Sequence, residues 1–115
     1  MSAQIPTSLF VEGHLATLSS EAIPYYFIQK GNTSSGLILV KISNMKGSTR
    51  LLMQQRDFNQ DSLVWAPALN EEVVEETDAD AYIKRAISRD PDLWVLEIED
   101  KTLTNPFEDT SAIKP

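Results

Sequence analysis

A chain of 115 residues, 42% hydrophobic and 23% charged, is long enough to bury one core and too short to bury two. It carries a net charge of -7 and no cysteine. Disulfides, thiolate metal sites and cysteine nucleophiles are therefore excluded, and the acidity argues against nucleic acid as a partner, because that affinity comes largely from cationic contacts. The longest uninterrupted apolar runs, Leu37 to Val40 and Leu93 to Leu96 among them, fall far short of the roughly 20 residues of a membrane-crossing helix. Met1-Ser2-Ala3-Gln4-Ile5-Pro6 has neither the basic cluster nor the apolar stretch of a signal peptide, so a cytoplasmic protein is expected.

In chain order, Phe10, Val11, His14, Leu15 and Leu18 share one side at helical spacing after Thr7 and Ser8, which predicts a first helix over about 7–20. Gly13 weakens that helix, and implies close packing or an imperfect helix. Ile23-Pro24 breaks the pattern. Tyr25 to Lys30 is an aromatic and β-branched strand that ends at the turn-rich Gly31 to Gly36. Gly36 to Ile42 and Thr49 to Arg56 read as the next two strands, joined by the turn Asn44-Met45-Lys46-Gly47, and the short loops predict an antiparallel meander.

Leu63 to Ala66, closed by Pro67, is a short fourth strand. The acidic connector Glu71 to Glu76 leads to Thr77, which is placed to cap a second helix with Asp80 three residues on, as in a capping box. Ala79, Tyr82, Ile83, Ala86 and Ile87 form its apolar stripe, with Asp78 and Asp80 early and Lys84, Arg85 and Arg89 late. Asp90-Pro91 ends it. In the final strand, Leu93 to Asp100, Trp94, Leu96 and Ile98 share one face while Glu97 and Glu99 share the other. From Lys101 the chain reads as a tail.

These elements predict a single α+β domain over 1–107, with a flexible C-terminal tail over 108–115. The expected architecture is a mostly antiparallel sheet of about five strands with two helices packed on one face, in the order α-β-β-β-β-α-β. If the helices cover Ile38, Val40, Ile42, Trp94, Leu96 and Ile98, the opposite face presents Lys41 and Glu97, with Arg50, Arg56 and Glu99, and is charged and partly solvated. Residues 1–60 carry five Lys or Arg against three carboxylates and residues 61–115 five against fourteen, so the acidity lies in the second half. The two halves either neutralise one another in space or form opposed patches.

No arrangement of reactive side chains stands out. His14 is the sole histidine and lacks a neighbouring nucleophile, Gly-x-Ser-x-Gly is absent, and Gly47-Ser48-Thr49 lacks the frame of a phosphate-binding loop. Asp90, Asp92, Glu97, Glu99 and Asp100 could in principle meet a hard cation, but the EF-hand pattern does not occur, and Glu97 and Glu99 more readily pair with Lys41 and Arg56 across a sheet. Asn105-Pro106-Phe107 reads as a turn with Phe107 docked on the domain, and Trp65 and Trp94 as core. No cofactor or metal is implied.

Asp90-Pro91-Asp92-Leu93-Trp94-Val95-Leu96-Glu97-Ile98-Glu99-Asp100, preceded by Asp78 to Ile83 and followed by Asn105-Pro106-Phe107, resembles a bacterial, mainly alphaproteobacterial family, domain of unknown function (DUF) 1491. The likeness runs from Leu9 to Phe107, through Gly36 to Lys41 and Trp65 to Leu69. It implies a single bacterial cytoplasmic domain and transfers no site. The sequence thus points to a non-catalytic binding or protein-interaction module, with a protein partner or a homodimer. The alternative is a small ligand-, nucleotide- or metal-responsive regulator or enzyme, whose polar candidates are His14, Lys41, Arg56, Glu97 and Glu99.

Overall fold

Two helices and six strands follow one another in the computed structural model of the protein, which describes residues 7–33, 36–57 and 62–105, the side chains of 7, 8, 56, 57, 62 and 63 excepted. They are α1 (Thr7–Ser20), β1 (Tyr25–Gln29), β2 (Ile38–Ser43), β3 (Ser48–Asp57), β4 (Ser62–Pro67), β5 (Val74–Glu75), α2 (Glu76–Arg89) and β6 (Trp94–Glu99). The α+β class and the order of the main elements agree with expectation. The sixth strand is β5, two residues of the acidic connector that pair with Ser48 and Thr49 at the start of β3.

The sheet order is β1-β6-β2-β3-β4. Of the meander expected from the first three strands only the β2-β3 pairing forms; β4 continues it on the far side of β3, and β1 does not join it. The final strand inserts between β1 and β2, antiparallel to the first and parallel to the second. The parallel pairing needs a crossover, and α2 supplies it.

The two helices lie on opposite faces of the sheet, where the sequence suggested one. Val11, Leu15 and Leu18 of α1 pack on Ile38, Val40, Ile42, Leu52, Trp94, Leu96 and Ile98. Ala79, Ile83 and Ala86 of α2 pack on Leu39, Leu51, Leu93 and Val95. The reason is visible in β2, which is buried at every position, because a central strand of alternating orientation carries Leu39 on the face away from Ile38 and Val40 and must cover it too. Arg50 opposes Ile42 and so belongs to the α1 face, not to the face of Lys41.

Helix α2 begins one residue before the expected cap. Its N-cap, Glu75, makes no side-chain capping bond, and the Glu76 amide instead donates to the Gly47 carbonyl at 3.0 Å. Thr77 is exposed inside the first turn, and the Asp80 carboxylate is taken by Lys41. Tertiary partners thus displace the local capping box. Gly13 neither packs closely nor distorts α1: an added Cβ would meet nothing within 4 Å. After β6, Leu103 packs on the α1-side core and Asn105 is buried, so the domain extends beyond Lys101. Phe107 lies outside the described residues. Among the described residues no helix is long and apolar enough to cross a membrane.

Candidate functional site

Lys41 is the chemically distinctive residue of the α2 face. Its in-register neighbour on β6 is Glu97, and Glu76 and Asp80, one helical turn apart on α2, reach down to it. The ammonium donates to Glu76 Oε2 at 2.8 Å and Asp80 Oδ1 at 2.7 Å, and Glu97 Oε1 lies at 3.6 Å. The Lys41 side chain is 3% exposed, whereas those of Glu76, Asp80 and Glu97 are 38%, 56% and 23% exposed. Water therefore reaches the carboxylates but not the cation. The expected charged, partly solvated face is in fact covered by α2.

Burial pushes the Lys41 pKa down, but the hydrogen bonds to Asp80 and Glu76 and the nearby charge of Glu97 outweigh it and hold the value above the ordinary 10.5. An ammonium so held is neither a nucleophile nor a base near neutral pH. The carboxylates, engaged by the cation, offer no charge-compensated cage for a metal. Among the described residues no group of three or more His, Asp or Glu is placed to hold one.

The remaining expected site residues do not join this cluster. His14 sits on α1, across the sheet, where Nδ1–H donates to the Phe10 carbonyl at 2.9 Å and the ring lies 4.5 Å from that of Phe10. Glu99 lies further along β6, opposite Ser43. Arg56 belongs to β3, and its side chain lies outside the described residues. Of the other carboxylates, Asp90 accepts from the Asp92 amide, and Asp100 from the amides of Thr102 and Thr104 and the Thr102 hydroxyl. They fix turns rather than converge on a ligand. A depression of about 540 Å³ beside Arg50 is crossed by the chain itself, since the guanidinium donates to the Leu103 carbonyl at 3.0 Å.

The stretch Asp90 to Trp94 is a structural clasp. The Trp94 indole N–H donates to the Asn32 carbonyl at 2.8 Å, the Asn32 backbone N–H donates to the Asp92 carbonyl, and the Gln29 side-chain Nε2 donates to the carbonyls of Asp90 and Leu93. A Cβ at Gly31 or Gly36 would collide with the Asp92 carbonyl oxygen, so both glycines permit the approach of the chain after β1 to this turn.

Among the described residues an uncovered surface emerges instead at β1, which the insertion of β6 leaves at the sheet edge. Tyr25 and Phe27 face α1, with the Phe27 ring 6.1 Å from that of Trp94. Pro24, Tyr26 and Ile28 alternate with them and are exposed. Tyr26 opposes Glu97, which puts this row on the α2 face, yet the apolar core under α2 contains no residue of β1. The Glu99 amide donates to the Pro24 carbonyl at 3.0 Å, so Pro24 turns its carbonyl towards β6. By antiparallel alternation Tyr26 does likewise, and the N–H and C=O of Tyr25 and Phe27 point out of the edge. Sequence reasoning missed this surface. Its trace is that Tyr25 to Ile28 is apolar at every position, leaving no polar face for solvent.

Fold and site together define a three-layer α-β-α domain whose buried charges are consumed internally. The chain belongs to DUF1491, a family of proteins of unknown function, whose model matches residues 5–108. It is similar to the crystal structure of a DUF1491 family protein from Caulobacter crescentus CB15, with 28% identity, a TM-score of 0.77 and coverage of 90% of this chain and 94% of that one. The NMR structure of a DUF1491 family protein from the same organism gives 27%, 0.76, 94% and 96%. A solution structure of an A. tumefaciens protein, at 20% identity and a TM-score of 0.65, covers 85% of this chain and 87% of its own and shows the same fold. No curated protein matches.

Proposed function

We propose that this protein is a non-catalytic interaction module of the cytoplasm that binds a protein partner through the open edge of β1. One observation carries the reading: an edge strand with outward-facing backbone groups at Tyr25 and Phe27 bears an exposed apolar row, Pro24, Tyr26 and Ile28, free of charge in a chain of net charge -7. Natural sheets protect such edges with charges, prolines, bulges or a covering segment; β1 has a bulge only at its Gln29 end, Pro24 turns towards β6, and Tyr25 to Phe27 between them carry no charge. Added strands take affinity from main-chain hydrogen bonds and specificity from alternate side chains, and this edge offers both. A ligand- or metal-responsive regulator has less support, because Lys41 and Glu97 face one another beneath α2 while His14 lies across the sheet.

The test is a photoreactive phenylalanine analogue at position 26, irradiated in cells, with the same analogue at exposed Lys84 on α2 as the control. Site-specific protein adducts at 26 are expected. Equal adduct yields at the two positions, or none at 26, would refute the module.

A further inference from the structure

We infer that the occupant of the β1 edge is a second copy of this chain, its own β1 pairing antiparallel about Tyr26; this rests on the interaction-module reading above. A two-fold axis requires the strand to complement itself, each residue meeting its symmetry mate's partner. The direction of the backbone groups selects the register. Centred on Tyr26, Tyr25 of one copy meets Phe27 of the other, and both residues turn their N–H and C=O outwards, so each pair exchanges both bonds. Centred on Phe27, Tyr25 would meet Gln29. That residue follows the irregularity between Phe27 and Gln29 and opposes Val95, two residues along β6 from Glu97, so its backbone groups turn towards β6 and not towards a partner.

The side chains agree with this register. On the uncovered face Tyr26 meets Tyr26 of the copy, and Ile28 meets Pro24, so the exposed apolar row covers itself. Pro24, which has no N–H, falls at a position where none is required, because its carbonyl is already bonded to the Glu99 amide. No charge lies within β1 to oppose its copy, and the ammonium of Lys30, just beyond the strand, lies 4.9 Å from the centroid of the Phe27 ring. Two five-residue edges bury little surface, so association is weak and concentration-dependent.

The chain has no native cysteine, so single-cysteine variants report the register directly. Facing residues at a position without ladder hydrogen bonds stand about 4.5 Å apart at Cα, within disulfide range. Tyr26→Cys under mild oxidation should therefore give a covalent dimer, several-fold more than Ile28→Cys, whose symmetry mate lies about 13 Å away along the strand. Sedimentation of the unmodified chain should shift from monomer to dimer with concentration, and Tyr26→Glu, with unchanged circular dichroism, should move that shift about tenfold higher by placing like charges together. Equal cross-linking of the two cysteine variants, or a monomer at every concentration, overturns self-pairing. If adducts to other proteins still form at position 26, the module survives and its occupant is an extended segment of a different chain. If no adduct forms, both readings fall.

Discussion

The two faces of the sheet are buried by different means. Beneath α1 the interface centre is wholly apolar, with Val11, Leu18, Val40, Leu96 and Ile98 removed from water, and Arg50 only at its margin. Beneath α2 an apolar patch of Leu39, Leu51 and Val95 adjoins a lysine bound by three carboxylates. Apolar burial is non-directional and scales with area, so the first face supplies stability without dictating how α1 is oriented. Charge-assisted hydrogen bonds are directional. Glu76 and Asp80 grip one ammonium from positions one helical turn apart, which fixes the rotation and the axial position of α2 on the sheet. One face chiefly supplies stability and the other chiefly supplies register.

The largest effect should come from emptying the apolar side. Leu96→Ala removes a fully buried side chain at the centre and should cost about 2–5 kcal/mol in chemical denaturation, with Glu97 and the α2 face unaltered. Lys41→Ala should cost about 3 kcal/mol, at the low end of what breaking a buried ion pair costs, because Glu76 and Asp80 can turn to water. Lys41→Met should recover about 1–2 kcal/mol of that loss by refilling the space of the aliphatic stem. If Lys41→Met matched the alanine variant, packing would have no part in the cluster.

A pH series sharpens the same contrast. The folded-state pKa of Lys41 is raised above its ordinary 10.5, so the cluster's contribution is full below the unfolded value and is lost as pH rises through the folded one. The stability gap between the parent and Lys41→Met should therefore be constant from pH 7 to pH 9 and shrink above 10.5, whereas the gap to Leu96→Ala should not respond to Lys41 deprotonation. The smallest change lies on the exposed side of α1. Gly13→Ala should raise stability by about 1 kcal/mol, since the added methyl meets nothing and the helix gains propensity. A loss there would mean that the outer side of α1 is not exposed in solution.

Much of this was legible in the chain. The stripe Val11, Leu15, Leu18 located α1, and the alternation of Trp94, Leu96 and Ile98 assigned β6 its α1-facing residues. Lys41 and Glu97 were expected on one face and do meet there. The unbroken runs Leu37 to Val40 and Leu93 to Leu96 held a further signal: strands covered on both sides read as continuous apolar stretches, and these two become the adjacent parallel centre of the sheet. Read as one-faced strands, they led to both helices on one side. Residues Glu76 and Asp80 were legible only as helix-end acids, since nothing near them in sequence marks a lysine 35 or 39 residues away as their partner.

By itself the sequence determined the main elements, their order, the apolar stripe of each helix and the absence of thiol chemistry, because periodicity and turn residues act over a few positions. Tertiary structure alone decided that β6 enters between β1 and β2, and with it nearly everything that bears on function. That insertion carries Glu97 to Lys41, leaves β1 at the edge with Tyr26 exposed, and makes the chain's return cross the second face with α2. Strand pairing is settled by which long-range contacts bury the most apolar surface while satisfying every backbone group, and no local pattern encodes that choice.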